Sequence, residues 1–444
     1  MNNAKIPKRI TTALMNSLGS GVTPRIGLEY IAVGRRKEIE TLLNDLANIA
    51  EGGSVFRFIA GNYGSGKSFL LQIIRNYAMD RNYVVTDADL SPERKLTGGK
   101  GQGLATYREL MQNLSTKVRP DGGALPSILE KWIANVQMQV MKEMNDTYDR
   151  LQLEMQVELR IMEIINSMDS MVHGFDFAKV LMAYWKGSKT GCDDLKNASL
   201  KWLRGEYATK SEAFSELGVR IIIDDDTWFD YIKLMSSFVR QLGYAGFLVL
   251  LDEGVNLYKI SNAVSRNSNY EKVLNMFNDT MQGKVQGLGI YMGGTPQFIE
   301  DNRRGLFSYE ALRTRLATTR FEINGLKDMQ GPIIYLNRLT NEELFVLLKK
   351  VLDIHMQHYS YTSSVTEDDL VAFMQVVADR LETEKLLTPR EVVRSFIAML
   401  NVIKQNPEIS FKELLTGDVI KMTPMGKNTD NTEDADSDAA DFIL

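Results

Sequence analysis

The sequence GNYGSGKS at residues 61–68 fits the pattern G-x-x-x-x-G-K-[ST] of a phosphate-binding loop, or P-loop. The glycines let backbone N–H groups turn inward around phosphate oxygens, and the helix that follows directs its positive end at the same anion. Lys67 would contact the β and γ phosphates, and the Ser68 hydroxyl would coordinate Mg²⁺. Residues 55–60 form a short apolar run and residues 69–78 have helical spacing, which is the strand–loop–helix context that such a loop needs.

We therefore predict a site for ATP and Mg²⁺, with a plain Gly-rich turn as the alternative. The residues of this segment that we expect to contact the nucleotide are Gly61, Asn62, Tyr63, Gly64, Ser65, Gly66, Lys67, Ser68 and Phe69.

A P-loop also needs an acid at the end of a neighbouring strand, and one apolar run supplies a pair of acids. Residues 247–251 read FLVLL and are followed by Asp252 and Glu253. We expect Asp252 to position Mg²⁺ and Glu253 to polarise the attacking water, because unpaired charge directly after a buried strand is costly without a function. An alternative stays open, since the shorter apolar run 221–223 precedes three aspartates at residues 224–226.

Hydrolysis needs a polar group that senses the γ phosphate and arginines that neutralise charge in the transition state. A third apolar run ends in Gly-Gly-Thr, and its last residue, Thr295, is the predicted sensor, with a plain turn as the alternative. Two arginine pairs follow, Arg303 with Arg304 and Arg313 with Arg315. We favour Arg313 and Arg315 as catalytic arginines that act on a neighbouring subunit, although a solvated face explains any single one of them.

The predicted fold class is α/β, a P-loop core with a parallel sheet, a long helical insertion and a C-terminal helical lid. Within the insertion, residues 127–173 contain no Gly or Pro and are rich in Met, which predicts one or two long helices. Their methionines fit either packing or an interaction surface. The expected domains are an N-terminal segment at 1–50, a core at 51–330 with its insertion at about 105–240, a lid at 331–422 with at most a reduced winged helix, and a disordered acidic tail at 423–444.

Composition excludes several classes of function. The 444 residues include one Cys and three His, which argues against a disulfide framework and a His-rich metal site. No apolar run is long enough for a transmembrane helix, and the first residues lack the apolar run of a secretion signal, so we expect a cytoplasmic protein with no membrane partner. The net charge of −5 equals that of the tail alone, so the rest is near neutral and DNA contact through Lys5, Lys8, Arg9, Arg303 or Arg304 stays open.

The order of these motifs resembles that of AAA+ ATPases, in particular the branch of origin-recognition and Cdc6-like proteins and STAND ATPases. A V-G-R segment (Val33, Gly34 and Arg35) precedes the first long helix, and the resemblance implies that it packs near the adenine. It also implies that Arg390, at the start of a late helix, is a second sensor that reaches the γ phosphate from the lid.

Residues 21–35 and 52–68 are similar to a narrower group, the BREX-type ATP-binding proteins of bacterial phage defence (BrxC/BrxD). This resemblance extends over about residues 10–400 and implies a role beside a helicase-like partner and other defence proteins. We therefore expect a Mg²⁺-dependent ATPase that forms homo-oligomers and couples its ATP state to assembly on DNA or with that partner. The alternatives are a nucleotide switch of low turnover, as in STAND proteins, and a structural adaptor that recruits partners.

Overall fold

A computed structural model of the chain describes five stretches, namely residues 5–144, 149–168, 171–317, 328–384 and 388–416. The predicted acidic tail at residues 423–444 lies outside the described residues. Of the helices in these five stretches, none is both long and apolar enough to cross a membrane.

Five parallel strands form one sheet in the order β2-β3-β4-β1-β5. The strands are β1 (Val55–Gly61), β2 (Val84–Asp89), β3 (Phe247–Asp252), β4 (Leu288–Gly294) and β5 (Ile333–Leu336). They are short apolar runs that are buried almost throughout, as expected where helices cover both faces of a parallel sheet. This sheet confirms the predicted α/β class with a parallel sheet.

The strand order brings the predicted motifs to one edge of the sheet. β1 leads into the P-loop and is separated by β4 from β3, which ends at Asp252. Register pairs Gly61 with Leu336 of β5, and Asp89 of β2 with Asp252. The carboxyl ends of parallel strands are where ligands bind in open α/β sheets, so this edge is the expected position of the site.

Four helices accompany the first strands. They are α1 (Lys8–Gly19), α2 (Leu28–Ile31), α3 (Arg36–Ala50) and α4 (Lys67–Asp80). α3 and α4 cover one face of the sheet, where side chains such as Ile59 and Leu250 join theirs in one hydrophobic cluster. The alternate strand side chains, such as Phe58 and Val249, enter a second cluster on the opposite face, as the two-residue period of a strand requires.

In the part of the insertion that the structure describes, seven helices lie between β2 and β3. They are α5 (Gln102–Gln112), α6 (Leu125–Glu143), α7 (Arg150–Asn166), α8 (Gly174–Thr190), α9 (Asp193–Leu203), α10 (Lys210–Leu217) and α11 (Trp228–Gln241). The Gly- and Pro-free stretch forms α6 and α7, as predicted. Of its methionines, Met168 is fully buried in the packing, whereas Met138 and Met155 are 53% and 59% exposed.

The described residues between β3 and β5 include four α-helices and a 3₁₀-helix. They are α12 (Val255–Tyr258), α13 (Ala263–Met281), α14 (Pro296–Glu300), the 3₁₀-helix (Leu306–Ser308) and α15 (Glu310–Leu316). The long helix α13 begins at Ala263. Its start is set by Asn262, whose side chain accepts from the Ser265 N–H, and the polar first turns carry no apolar periodicity.

The lid consists of helices after β5. They are α16 (Asn341–Tyr359), α17 (Glu367–Glu384), α18 (Pro389–Gln405) and α19 (Phe411–Thr416). Capping boxes begin two of them, Thr340 with Glu343 at α16 and Thr388 with Glu391 at α18. α1 packs against α16 and α18, so the N-terminal helix contributes to the same hydrophobic cluster as the lid.

Candidate nucleotide site

The P-loop joins the end of β1 to the start of α4. Gly64 has a φ of +76° and Gly66 a φ of +90°, a region that side chains other than glycine rarely adopt. Gly66 is the N-cap of α4, and Lys67 is the first residue of that helix. The loop therefore places the unpaired N–H groups of a helix N-terminus at the carboxyl edge of the sheet, which favours an anion.

The Lys67 ammonium is held by the loop itself. Its Nζ donates to the Gly61 carbonyl at 2.9 Å and to the Asn62 carbonyl at 3.3 Å. Burial lowers the pKa of Lys67, and the carboxylates of Asp252 and Glu253 oppose that shift. The side chain is thus anchored at the loop beside two acids, in position to bind a phosphate.

Ser68 and Asp252 meet across the sheet edge. The Ser68 hydroxyl donates to Asp252 Oδ2 at 2.6 Å, and Asp252 Oδ1 accepts from the Glu253 N–H at 2.8 Å. Two oxygen ligands of the kind that Mg²⁺ prefers therefore lie together beside the P-loop. This is the arrangement expected from the motif spacing.

Asp89 adds a carboxylate that the sequence analysis missed. It ends β2 in register with Asp252. Partial burial, followed by the charges of Asp252, Asp87 and Glu253, raises the pKa of Asp89 to about 6. The signal was present in the sequence, because the apolar run at residues 83–85 is followed within four residues by Asp87 and Asp89.

The alternative acid run at residues 224–226 lies elsewhere and is wrong as the Mg²⁺ partner of the P-loop. No strand precedes it, and Asp224 instead forms a turn before α11, accepting from the Thr227 N–H at 3.0 Å and its hydroxyl at 2.7 Å. Asp225 accepts from the Leu104 N–H at 2.7 Å. The carboxylates of Asp224 and Asp225 therefore accept hydrogen bonds from backbone N–H groups of the insertion, whereas Ser68 donates its hydrogen bond to Asp252.

A cavity of about 300 Å³ lies over the P-loop, between the N-terminal segment, the core and the lid. The predicted residues that line it are Val33, Arg35, Tyr63, Gly64, Ser65, Gly66, Lys67, Ser68, Phe69, Glu253 and Arg390. Its other half is apolar, with Ile31, Leu339, Leu347 and Val393 among its walls. A polar end and an apolar end suit a nucleotide, whose phosphates and base differ in the same way.

Residues from the lid and from the N-terminal segment close the cavity over the P-loop. Thr388 and Pro389 bring the start of α18 over the loop, and an added Cβ on Gly64 would lie 2.8 Å from the Thr388 Cγ2. Arg390, in the first turn of α18, lines the cavity as the resemblance implied. Thr23, in the Gly- and Pro-rich turn after α1, was not predicted, because no periodic pattern marks it.

Gly34 does not line the cavity. Its φ is +69°, and its Cα faces the carboxylate of Glu343 in the first turn of α16. The Arg35 guanidinium, although it reaches the cavity wall, donates to backbone carbonyls of the protein. The V-G-R segment therefore joins the P-loop to the lid as well as lining the pocket.

Thr295 lies at the predicted strand end but not in the cavity lining. It directly follows β4 and is the N-cap of α14, where its hydroxyl accepts from the Phe298 N–H at 3.2 Å. This capping bond gives the side chain a structural role in addition to any contact with phosphate.

The candidates for a catalytic arginine that acts on a neighbouring subunit lie on and near α15, and none of them lines the cavity, namely Arg303, Arg304, Arg313 and Arg315. Arg315 donates to Asn278 Oδ1 at 2.8 Å, and Arg304 lies over the ring of Tyr258 at 5.4 Å. Arg313 is exposed on the same short helix. These arginines are therefore placed on a surface outside their own chain's pocket.

The sheet, the P-loop and the acid pair at the end of β3 define a P-loop protein of the α/β class. The chain belongs to the family described as BREX system ATP-binding protein BrxC/D, whose model matches residues 6–419. This match confirms the resemblance seen in the sequence.

Two solved structures of low identity are similar to the chain. Domain III of the Thermotoga maritima replication initiation protein DnaA has 13% identity over 89% of this chain and 96% of that chain, with a TM-score of 0.36. A DNA replication initiation factor has 11% identity over 89% of this chain and 77% of that chain, with a TM-score of 0.31. Comparison with curated proteins gave no match.

Proposed function

We propose that the protein binds ATP with Mg²⁺ in the cavity over the P-loop and hydrolyses it. The observation that carries this proposal is the 2.6 Å hydrogen bond between Ser68 and Asp252, beside a cavity lined by Lys67 and Glu253. Proteins hold Mg²⁺ in phosphate sites through one or two oxygens, with water and phosphate completing the shell. Ser68 and Asp252 fit that requirement, and the described residues contain no group of three His, Cys, Asp or Glu side chains that would make an all-protein site.

Each side chain has a role in this proposal. Lys67 binds the β and γ phosphates, Ser68 and Asp252 hold the ion that neutralises them, and Glu253 orients the attacking water and accepts its proton. Arg390 contacts the γ phosphate from the lid, and Thr295 senses the same group from the end of β4. The bound Mg²⁺ supplies charge stabilisation at the β and γ oxygens.

Catalysis in this proposal needs a second copy of the chain. Arg313 and Arg315 lie outside their own cavity, on the exposed surface of α15, so in this proposal the nucleotide that they contact belongs to a neighbour. An arginine supplied in this way accelerates phosphoryl transfer strongly. We therefore propose a homo-oligomer whose geometry reports the nucleotide state.

The family description places the protein in a BREX system, and we propose that the assembly acts on DNA or on a helicase-like partner in phage defence. Lys5, Arg9 and Arg303 are exposed and available for phosphate contacts, whereas Arg304 donates weakly to the Tyr258 carbonyl at 3.4 Å. A titration of DNA binding against salt tests direct contact, because neutralised phosphates give log affinity a negative slope against log salt. A flat profile would exclude phosphate contacts and leave the protein partner.

Titration with a slowly hydrolysed ATP analogue, with and without Mg²⁺, tests the site. Wild type is expected to bind the analogue more tightly with Mg²⁺ than without it. In Asp252→Asn the affinity with Mg²⁺ is expected to be roughly tenfold lower than in wild type, since bonds to charged groups contribute about 1.5–3 kcal/mol. Asp225→Asn is the matched control, because the amide oxygen can still accept from the Leu104 N–H. Equal Mg²⁺ dependence in wild type and Asp252→Asn would contradict the proposed ion site.

A mass measurement of the protein in ADP, in the ATP analogue and with DNA tests the assembly. A larger species in the analogue than in ADP is the expected result. A monomer in every condition would exclude catalysis in trans and favour the nucleotide-switch alternative.

A further inference from the structure

Arg35 is a buried arginine whose hydrogen bonds go to two separate parts of the site. The side chain is 6% exposed. Its Nη2 donates to the Ser65 carbonyl at 2.9 Å and to the Asn337 carbonyl at 2.5 Å. Its Nη1 lies 3.7 Å from Glu38 Oε1, so a carboxylate accompanies the buried charge. One guanidinium thus connects the P-loop with the chain that follows β5.

The bond to Ser65 fixes the orientation of one peptide of the P-loop. Ser65 is 2% exposed, and its hydroxyl packs against Gly61 without a hydrogen-bond partner among the described residues. In a trans peptide the Ser65 carbonyl and the Gly66 N–H point in opposite directions. Holding the carbonyl therefore sets the direction of the Gly66 N–H, which is one of the donors that a P-loop offers to phosphate.

The bond to Asn337 reaches the linker to the lid. Asn337 directly follows β5, which pairs with β1 beside the P-loop and leads into α16. Two further contacts join the same N-terminal segment to α16, because Gly34 faces the Glu343 carboxylate and the Lys350 ammonium donates to the Ala32 carbonyl at 2.8 Å. Residues 32–35 therefore contact both the phosphate loop and the first lid helix.

We propose that Arg35 is a positioning residue that couples the P-loop to α16, an inference that rests on the proposed binding of nucleotide by that loop. Because a single nitrogen serves both carbonyls, a movement of the linker changes the bond that orients the Ser65–Gly66 peptide. A phosphate that accepts from the Gly66 N–H fixes this peptide, and through Arg35 it fixes the linker and the start of the lid. The planar guanidinium suits this task, since a lysine presents a point charge that cannot hold the same fork.

Arg35→Lys tests the coupling with two readouts, the affinity for a fluorescent ADP probe and the hydrogen exchange of residues 341–346 at saturating probe. The expected result is roughly tenfold weaker binding, the equivalent of one lost charge-assisted bond. At saturation, the protection that the probe gives to these amides in wild type is expected to be lost. At full occupancy, weaker binding no longer affects the exchange, so a loss of protection reports the coupling and not the affinity.

Arg75→Lys is the matched control. Arg75 is 4% exposed, pairs with Asp87 at 2.9 Å and donates to the Pro120 carbonyl at 2.7 Å, all away from the cavity. The variant Arg75→Lys is expected to be less stable than wild type, while its probe affinity stays within about twofold and the lid protection is unchanged. If Arg35→Lys does not fold, Lys350→Met takes its place, because it cuts the neighbouring contact with Ala32 at a partly exposed position.

The outcomes separate this inference from the proposed function. Wild type that binds no probe overturns the function itself. If wild type binds the probe and the probe-induced lid protection is unchanged in Arg35→Lys, the coupling is overturned and the function stays in place. The same result in Lys350→Met has the same meaning if that variant is used. Loss of that protection in the Arg75→Lys control as well would also overturn the assignment to Arg35.

Discussion

Gly34→Ala is expected to destabilise the start of α16 for two physical reasons. The residue has a φ of +69°, where a side chain costs about 1–2 kcal/mol. The added Cβ would lie 2.7 Å from Glu343 Oε2 and closer still to Oε1, so the carboxylate has to move away. It then no longer accepts from the Thr340 N–H at 2.9 Å, which loses a capping bond of about 1 kcal/mol.

A double-mutant cycle with Glu343→Ala isolates the contact. Alone, Glu343→Ala removes the capping bond and is expected to cost about 1 kcal/mol. In the Gly34→Ala background that bond is already broken, so the second substitution is expected to cost close to nothing. The predicted coupling is therefore about 1 kcal/mol.

Native-state hydrogen exchange of the α16 amides is the assay, because it reports local opening of the lid rather than unfolding of the whole chain. All four proteins are measured without nucleotide, so that differences in occupancy do not enter. Additive effects within about 0.5 kcal/mol would refute the contact between Gly34 and Glu343.

Three further predictions concern the rest of the molecule. Arg313→Ala is expected to lower hydrolysis at least tenfold, and mixing it with Glu253→Gln is expected to restore activity, because each variant supplies what the other lacks; no recovery in a mixed oligomer would argue against action in trans. Burial lowers the pKa of His355 below 6.5, so the unfolded chain binds the proton more tightly and stability falls as pH falls through the unfolded-state value. The melting temperature of His355→Gln is therefore expected to fall less between about pH 7 and pH 5 than that of wild type. An equal fall in both proteins would contradict this. Met155→Gln, at a side chain 59% exposed, is expected to change the free energy of unfolding by less than about 0.5 kcal/mol, and a larger loss would show that it packs.

The core of the fold could be predicted because its determinants are local. β3 is a continuous apolar run, β4 and β1 are apolar apart from Arg57 in β1, and all three are buried as strands of a parallel sheet require. The P-loop follows β1 directly. The lid helices α16 and α18 have apolar periodicity and begin at capping boxes. Register then follows from the order of the strands, so Ser68 and Asp252 meet as expected.

The boundary between core and lid could not be predicted, because it depends on pairs far apart in the chain. Gly34 meets Glu343, and Gly64 meets Thr388, at separations of more than 300 residues, and no spacing rule connects them. The sequence identified Arg35 only through a resemblance, which suggested the adenine. Which carbonyls its guanidinium would reach depended on how the linker after β5 passes the P-loop.

The central claim is that the chain turns over ATP with Glu253 as the residue that activates water. Steady-state hydrolysis by wild type and Glu253→Gln, measured with Mg²⁺ and with DNA present, tests it most directly. The account predicts turnover by wild type and a fall of at least a hundredfold in Glu253→Gln with ATP binding retained, in keeping with general-base catalysis. Equal rates in the two proteins, or no hydrolysis by either, would contradict it.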